Sequence, residues 1–247
     1  TLGNCAMTVD EKNQIYSGNR WQFPRTLPEP DATQLVFGHA ESMGIQRGWT
    51  KTVYPGVTQD RALFLTPQYL ADLFLSFSSE PHKYDLAWHF RGKLKVDLPM
   101  EPYKFPEPVT NGYNALTEVM RAAPTDKPWS ASVVTVGNQP VRFFAAGGAP
   151  TEVITGNGHF FINGPKNDEF PPTIIQRRDQ QSNVLFGNVT DVSGSPDGFV
   201  KSVAQEGGAE AGYGLLKIET VKGTDICFVS YDNQTHKVGG LETDAQQ

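Results

Sequence analysis

The sequence predicts an all-β protein, a large antiparallel β-sandwich of stacked sheets. Short runs rich in β-branched and aromatic residues recur along the chain, each closed by a turn signal such as Pro55-Gly56, Thr66-Pro67 or Gly137-Asn138. Twenty-four Gly and eighteen Pro among 247 residues suit many strands joined by tight turns. No amphipathic helical pattern of about twelve residues or more separates the runs, which removes a doubly wound α/β architecture.

Taken in order, strands are expected at 5–9, 34–40, 51–54, 61–65, 69–77 and 84–91. The runs 61–65 and 69–77 stand at hairpin distance across Thr66-Pro67. From 98 to 128 the chain is Pro-rich and irregular, and reads as an insertion over the sandwich with one short helix near 115–122. At most one or two short helices are expected in all. Strands resume at 130–136 and 141–145 on either side of Gly137-Asn138, and continue at 151–155, 173–179, 183–189, 214–221 and 225–231. Residues 1–240 are expected to form one domain and 241–247 a frayed tail.

Twenty-one Lys and Arg against 27 Asp and Glu leave a net charge of −6, without a basic cluster. A phosphate backbone demands the opposite, so no nucleic-acid partner is expected. No run of eighteen apolar residues is present to span a membrane as a helix. An anionic sugar would have to be held by a local group of Arg, His and amides. Cys5 and Cys227, far apart in the chain, read as two buried thiols rather than a bridge. Asn188-Val189-Thr190 and Asn233-Gln234-Thr235 fit the glycan-acceptor pattern. The chain opens at Thr1 with neither Met nor an apolar leader, so the expectation is a removed targeting peptide or a piece of a longer protein.

The five histidines are His39, His82, His89, His159 and His236, and the run from His82 to His89 (HKYDLAWH) is the densest polar-aromatic cluster. In a strand, His82 and His89 fall on opposite faces, a poor pair for one metal ion. Asp85 and His89 share a face but stand roughly 13 Å apart at strand rise, too far for a direct hydrogen bond. Trp88 is expected to pack inside. There is no clustered Cys/His zinc pattern and no G-x-S-x-G nucleophile turn. Gly147-Gly148 and Gly207-Gly208 follow strand patterns and read as turns rather than phosphate loops. Asp72 sits among apolar neighbours and needs a partner, which Arg61 supplies as an internal ion pair. Arg177 and Arg178 point to opposite faces of one strand, and one of them is expected to reach a carboxylate, of the protein or of a sugar acid.

Several segments, in order, resemble the C-terminal β-sheet domain of heparinase II/III-like polysaccharide lyases, in the manner of the alginate and oligoalginate lyases. The start, Gly3-Asn4-Cys5-Ala6-Met7-Thr8-Val9-Asp10, is similar to that family's His-Asn-Thr-Val-x-Val-Asp segment. Tyr54-Pro55-Gly56-Val57, Arg61-Ala62-Leu63-Phe64-Leu65 and Tyr69-Leu70-Ala71-Asp72 resemble its next strands. His82-Lys83-Tyr84-Asp85 through His89, followed by Gly92, resembles its His-x-Tyr-Asp-x-x-x-His segment, and Gly147 to Gly156 and Gln176-Arg177-Arg178 continue the order.

What the resemblance implies is β-elimination on a uronic-acid polysaccharide. The C6 carboxylate is neutralised, a base takes the C5 proton and an acid protonates the leaving O4. The family uses Tyr and His for proton transfer, mostly from an N-terminal α/α toroid or from the β segment just ahead of the matched start. This chain is therefore expected to form one wall of the cleft, to support such a toroid and to be inactive alone. Its catalytic candidates are His89, His82 and Tyr84. Asn4, Arg61, Arg177 and Arg178 are the candidates for holding an acidic polysaccharide or oligosaccharide. Gly3 stands where the family's zinc-associated His would be, so no metal or cofactor is expected. The expected location is periplasmic or secreted. A non-catalytic carbohydrate-binding or structural module is the alternative, with Trp21, Trp49, Trp88 and Trp129 as stacking platforms. A mutarotase-like epimerase with His89 as general acid is a further one.

Overall fold

The computed structural model describes residues 5–14, 32–158, 171–232, 234–238 and 241–243. Along them run β1 (Met7–Val9), β2 (Thr33–Ala40), β3 (Met43–Thr50), β4 (Val57–Leu65), β5 (Tyr69–His89), β6 (Gly92–Val96), β7 (Glu101–Pro102), β8 (Thr117–Thr125) and β9 (Trp129–Thr135). They are followed by β10 (Pro140–Ala145), β11 (Thr151–Asn157), β12 (Pro172–Asp191), β13 (Val200–Gly208), β14 (Tyr213–Thr220), β15 (Gly223–Ser230), β16 (His236–Val238) and β17 (Leu241–Thr243). The all-β sandwich expected from the sequence is what forms, and every pairing among the described residues is antiparallel.

The four runs expected at 69–77, 84–91, 173–179 and 183–189 are two strands, β5 and β12, of 21 and 20 residues. They pair from Thr173↔His89 to Asp191↔Tyr69, and the register slips on either side of Gln181. Gln180 takes a left-handed φ of 54° there. Such bulges bend a strand and raise its twist, so the pair serves two differently oriented halves. One half of the sheet has the order β2-β3-β4-β5-β12-β10-β9-β6, and on the other half β1 joins β5 while β11, β8 and β7 extend from β12.

The side-chain alternation of the pair sets the layers. Phe74, Val184, Phe186 and Phe143 from one half meet Tyr84, Leu86, Trp88, Ile174, Val153 and Met7 from the other in a single core. Leu73, Leu75, Leu185 and Val189 face the opposite way and pack on Val203, Leu216, Ile218 and Cys227 of the β13-β14-β15 sheet. On the far side, Ala87, Ile154 and Ile175 are covered by Tyr113 with Tyr103, Phe105, Val109 and Leu116 of the Pro-rich segment.

Several local expectations need correction. The helix near 115–122 is instead a 3-10 turn, Tyr113–Ala115, followed by β8. β8 pairs with β11 and satisfies its ladder, which outweighs the helical propensity of the sequence. Residues 51–54 are bends and the strand is β3, which pairs β2 to β4. Cys227 is a buried thiol, but Cys5 is an exposed one. Asn188 is fully buried and accepts from Gln176 Nε2 at 2.7 Å, so it is closed to a glycan. Asn233 lies outside the described residues. Within the expected tail, Leu241–Thr243 pairs with His236–Val238. The Gly137-Asn138 turn forms as expected, with Asn138 at φ 57° between β9 and β10. Among the described residues, no helix is long and apolar enough to cross a membrane.

Phe143 has no exposed surface and its ring touches Trp88, Phe90 and Trp129. Phe143→Ala is expected to cost about 3–5 kcal/mol in urea unfolding. Phe37→Ala, at an exposed edge position, is expected to stay within about 0.5 kcal/mol.

Candidate functional site

The polar groups of the second half of the pair converge where β1 lies against β5. Register places Thr8 opposite Asp85 on β5, and Asp85 opposite Arg177 on β12. Asp85 is fully buried and Arg177 nearly so. The guanidinium grips the carboxylate with two parallel bonds, Nε to Oδ1 at 2.8 Å and Nη2 to Oδ2 at 2.7 Å, and Nη2 also reaches Glu11 at 2.6 Å. Tyr113 donates to Asp85 Oδ2 at 2.5 Å, so the Thr8 hydroxyl donates in turn to the Tyr113 oxygen at 2.7 Å. Burial alone would lower the pKa of Arg177, but Asp85 and Glu11 hold it above its ordinary value. Burial and the neighbouring Asp85 push the Tyr113 phenol up. The cluster is a fixed, charge-balanced bed rather than a source of mobile protons.

At its rim the network meets solvent. His82 Nδ1 lies 2.9 Å from Asp10 Oδ2, with about a fifth of the imidazole side chain exposed. Lys83 reaches Glu11 at 3.4 Å, and its backbone N–H donates to Asp10. Burial pushes the Asp10 carboxyl up, but the His82 and Lys83 hydrogen bonds and the charges of His82 and Lys12 outweigh it and hold the carboxyl below its ordinary 3.8. A carboxylate that orients one ring nitrogen leaves the other, Nε2, suited to exchange a proton with a bound molecule.

The other candidates are placed differently. Tyr84 has no exposed surface, and its hydroxyl lies 3.1 Å from Ser78 Oγ inside the fold. Burial raises its pKa. His89 stands on the opposite face from His82, as the alternation requires, with Nδ1 2.9 Å from Thr173 Oγ1. Arg61 makes the internal pair expected with Asp72, Nε to Oδ1 at 2.9 Å and Nη2 to Oδ2 at 3.0 Å, and its Nη1 donates to the Cys5 carbonyl. Arg178 faces away from Arg177, and its bonds go to Thr151 Oγ1, Leu185 O and Gly147 O. Trp88 and Trp129 are buried in the core, and Trp49 lies under Lys51. Gly3, Asn4, Trp21 and His159 lie outside the described residues.

Sequence reasoning did not assign Asp10, Glu11, Thr8 or Tyr113 to this network. Only Asp10 carried a signal, as the acid that ends the segment Gly3 to Asp10. Tyr113 arrives from about thirty residues beyond Asp85, and nothing in its local sequence announces the contact. The pair Arg47–Asp60, bidentate at 3.0 and 2.9 Å and tied to Ser230 O, was likewise invisible without the β3–β4 register.

No family model and no curated protein matches the sequence. Solved structures do resemble the fold. A heparan sulfate lyase from Pedobacter heparinus aligns at TM-score 0.54 and 10% identity, over 94% of this chain and 31% of its own. A heparinase III gene product aligns at TM-score 0.59 and 8% identity, over 92% and 30%. Another heparinase III aligns at 0.53 and 11%, over 92% and 29%. This chain thus spans about a third of the length of these proteins. At such identities the likeness establishes the fold.

Two measurements test the bed and its rim. Asp85→Asn leaves Arg177 with only the partly exposed Glu11 as countercharge and is expected to cost about 3 kcal/mol in urea unfolding. Because the folded-state pKa of Asp10 is depressed, its stabilisation is complete above the unfolded value and is lost as pH falls through the folded one. Asp10→Asn is therefore expected to flatten the acid limb of stability below about pH 4 in urea titrations across pH.

Proposed function

We propose that this chain is the β-sandwich portion of a lyase that cleaves a uronic-acid polysaccharide by β-elimination, with an α/α toroid of the same parent protein carrying most of the proton-transfer groups. The observation that supports this most is the course of the chain, shared with a heparan sulfate lyase and two heparinase III proteins over more than nine-tenths of its own length but about a third of theirs. The remainder leaves room for the toroid.

The disposition of the described side chains fits such a division. Arg61 and Arg177 are committed to Asp72 and Asp85, and the Tyr84 hydroxyl is enclosed. His82, oriented by Asp10 and open to solvent, is the side chain best suited to meet a sugar at the cleft wall. The route assigns no step to a metal or cofactor. Uronic-acid polymers of this kind are met outside the cytoplasm, so the protein is proposed to be periplasmic or secreted.

The test follows the ultraviolet absorbance of the unsaturated uronate product on heparan sulfate, alginate and glucuronan. The isolated chain is expected to give no turnover, and the parent protein with its helical region to give it. His82→Ala in that parent is expected to lower kcat/KM roughly tenfold or more. Robust turnover by the isolated chain would overturn the division of labour. Saccharide binding without turnover in the parent protein would favour a carbohydrate-binding or structural module.

A further inference from the structure

Among the described residues, four arginines are wholly or largely buried. Arg47, Arg61 and Arg177 each grip an aspartate with two bonds, on Asp60, Asp72 and Asp85. Arg178 does not. It is 5% exposed, and its partners are neutral: Thr151 Oγ1 at 2.8 Å, Leu185 O at 2.8 Å and Gly147 O at 3.2 Å. Its guanidinium also stands 4.4 Å from the centre of the Phe186 ring. Among the described residues no carboxylate lies within ion-pair distance of it. Of five N–H donors three are used, which leaves one on each terminal nitrogen. Burial without a countercharge pulls its pKa down to about 10. A buried charge is costly unless paired, so this guanidinium is set up to gain from an incoming anion.

It also lines a cavity of about 290 Å³. The two glycine pairs that read as plain turns come together there, Gly148 from the turn after β10, and Gly207 and Gly208 from the end of β13. All three have positive φ, so bare backbone forms much of the wall. A Cβ at Gly148 would come within 2.9 Å of the Gln205 amide. Gln205 also lines the cavity, and its Nε2 shares the Leu185 carbonyl with Arg178. Its Oε1 is buried against Gly187 and Leu216, which do not line the cavity, whereas Nε2 lies beside Gly148 and has a second N–H beyond the one given to Leu185. Among the described lining residues Glu210 is the one acidic side chain, and it is exposed on the β13–β14 turn.

We propose that this cavity binds a hydroxy-carboxylate of the size of one uronic acid, its carboxylate pairing with Arg178 and a hydroxyl oxygen accepting from the Gln205 Nε2 amide. A cavity near the lower end of ligand-pocket volumes, about 300 Å³, suits a single ring or chain end rather than a polymer. The assignment stands on the cavity and does not need the lyase reading. Binding without turnover leaves it intact.

Titration calorimetry of the chain with glucuronate, acetate and glucose tests it. Glucuronate is expected to bind at least tenfold more tightly than either acetate, which lacks the hydroxyls, or glucose, which lacks the charge. Arg178→Gln is expected to abolish the glucuronate signal. Because removing Arg178 strips donors from two carbonyls, Asn183→Asp serves as the second variant. Asn183 lines the same cavity and its Oδ1 accepts from the Ala209 N–H, a bond that Asp preserves while adding negative charge. It is expected to keep the melting temperature and weaken glucuronate at least tenfold. No glucuronate binding, equal binding of acetate or glucose, or unchanged affinity in folded Arg178→Gln or Asn183→Asp would overturn the proposal.

Discussion

Two strands of 21 and 20 residues lie antiparallel through the middle of this protein, and the other layers are built on their faces and edges. A strand of ordinary length belongs to one sheet. These two exceed it and slip register on either side of Gln181, which lets the same backbone ladder enter both halves of the sandwich. Alternation then does the sorting. One face closes the core between the halves, and the other receives the β13-β14-β15 sheet at one end and the Pro-rich segment at the other.

That arrangement buries charged residues, and the fold answers with geometry. Neighbouring strands bring an arginine and an aspartate to facing positions in β5–β12, and to diagonal positions two residues on along the same face in β3–β4 and β4–β5, close enough for a bidentate grip. Each pair satisfies the planar guanidinium fork and relieves the cost of desolvation. Arg178 departs from the rule. Its position on the opposite face from Arg177 takes it away from Asp85 and toward a glycine-lined cavity with neutral oxygens.

The same geometry separates two kinds of polar group. Those between packed layers, Tyr84, Asp72 and Asp85 among them, hold the sandwich together and are closed to a polymer. Those at the edge of β1 and β5, His82 and Asp10 foremost, retain contact with solvent while being fixed in orientation. A surface of oriented but mostly compensated charge accords with the cleft wall proposed above.

The sequence by itself determined the fold class, because turn signals and period-two runs depend only on neighbours in the chain. It also determined that Arg177 and Arg178 face apart and that Asp72 needs Arg61, since alternation and the cost of a buried carboxylate are local facts. It was misled at 115–122, where the open edge of β11 recruits a strand, and it divided β5 and β12 in two at their polar bends. Only the tertiary structure decided which of Arg177 and Arg178 received a protein carboxylate, that Tyr113 would cap Asp85, and that two distant glycine pairs would share a cavity. These outcomes depend on strand register and on how far each bulge turns the chain, quantities that join residues remote in sequence and leave no periodic trace in it.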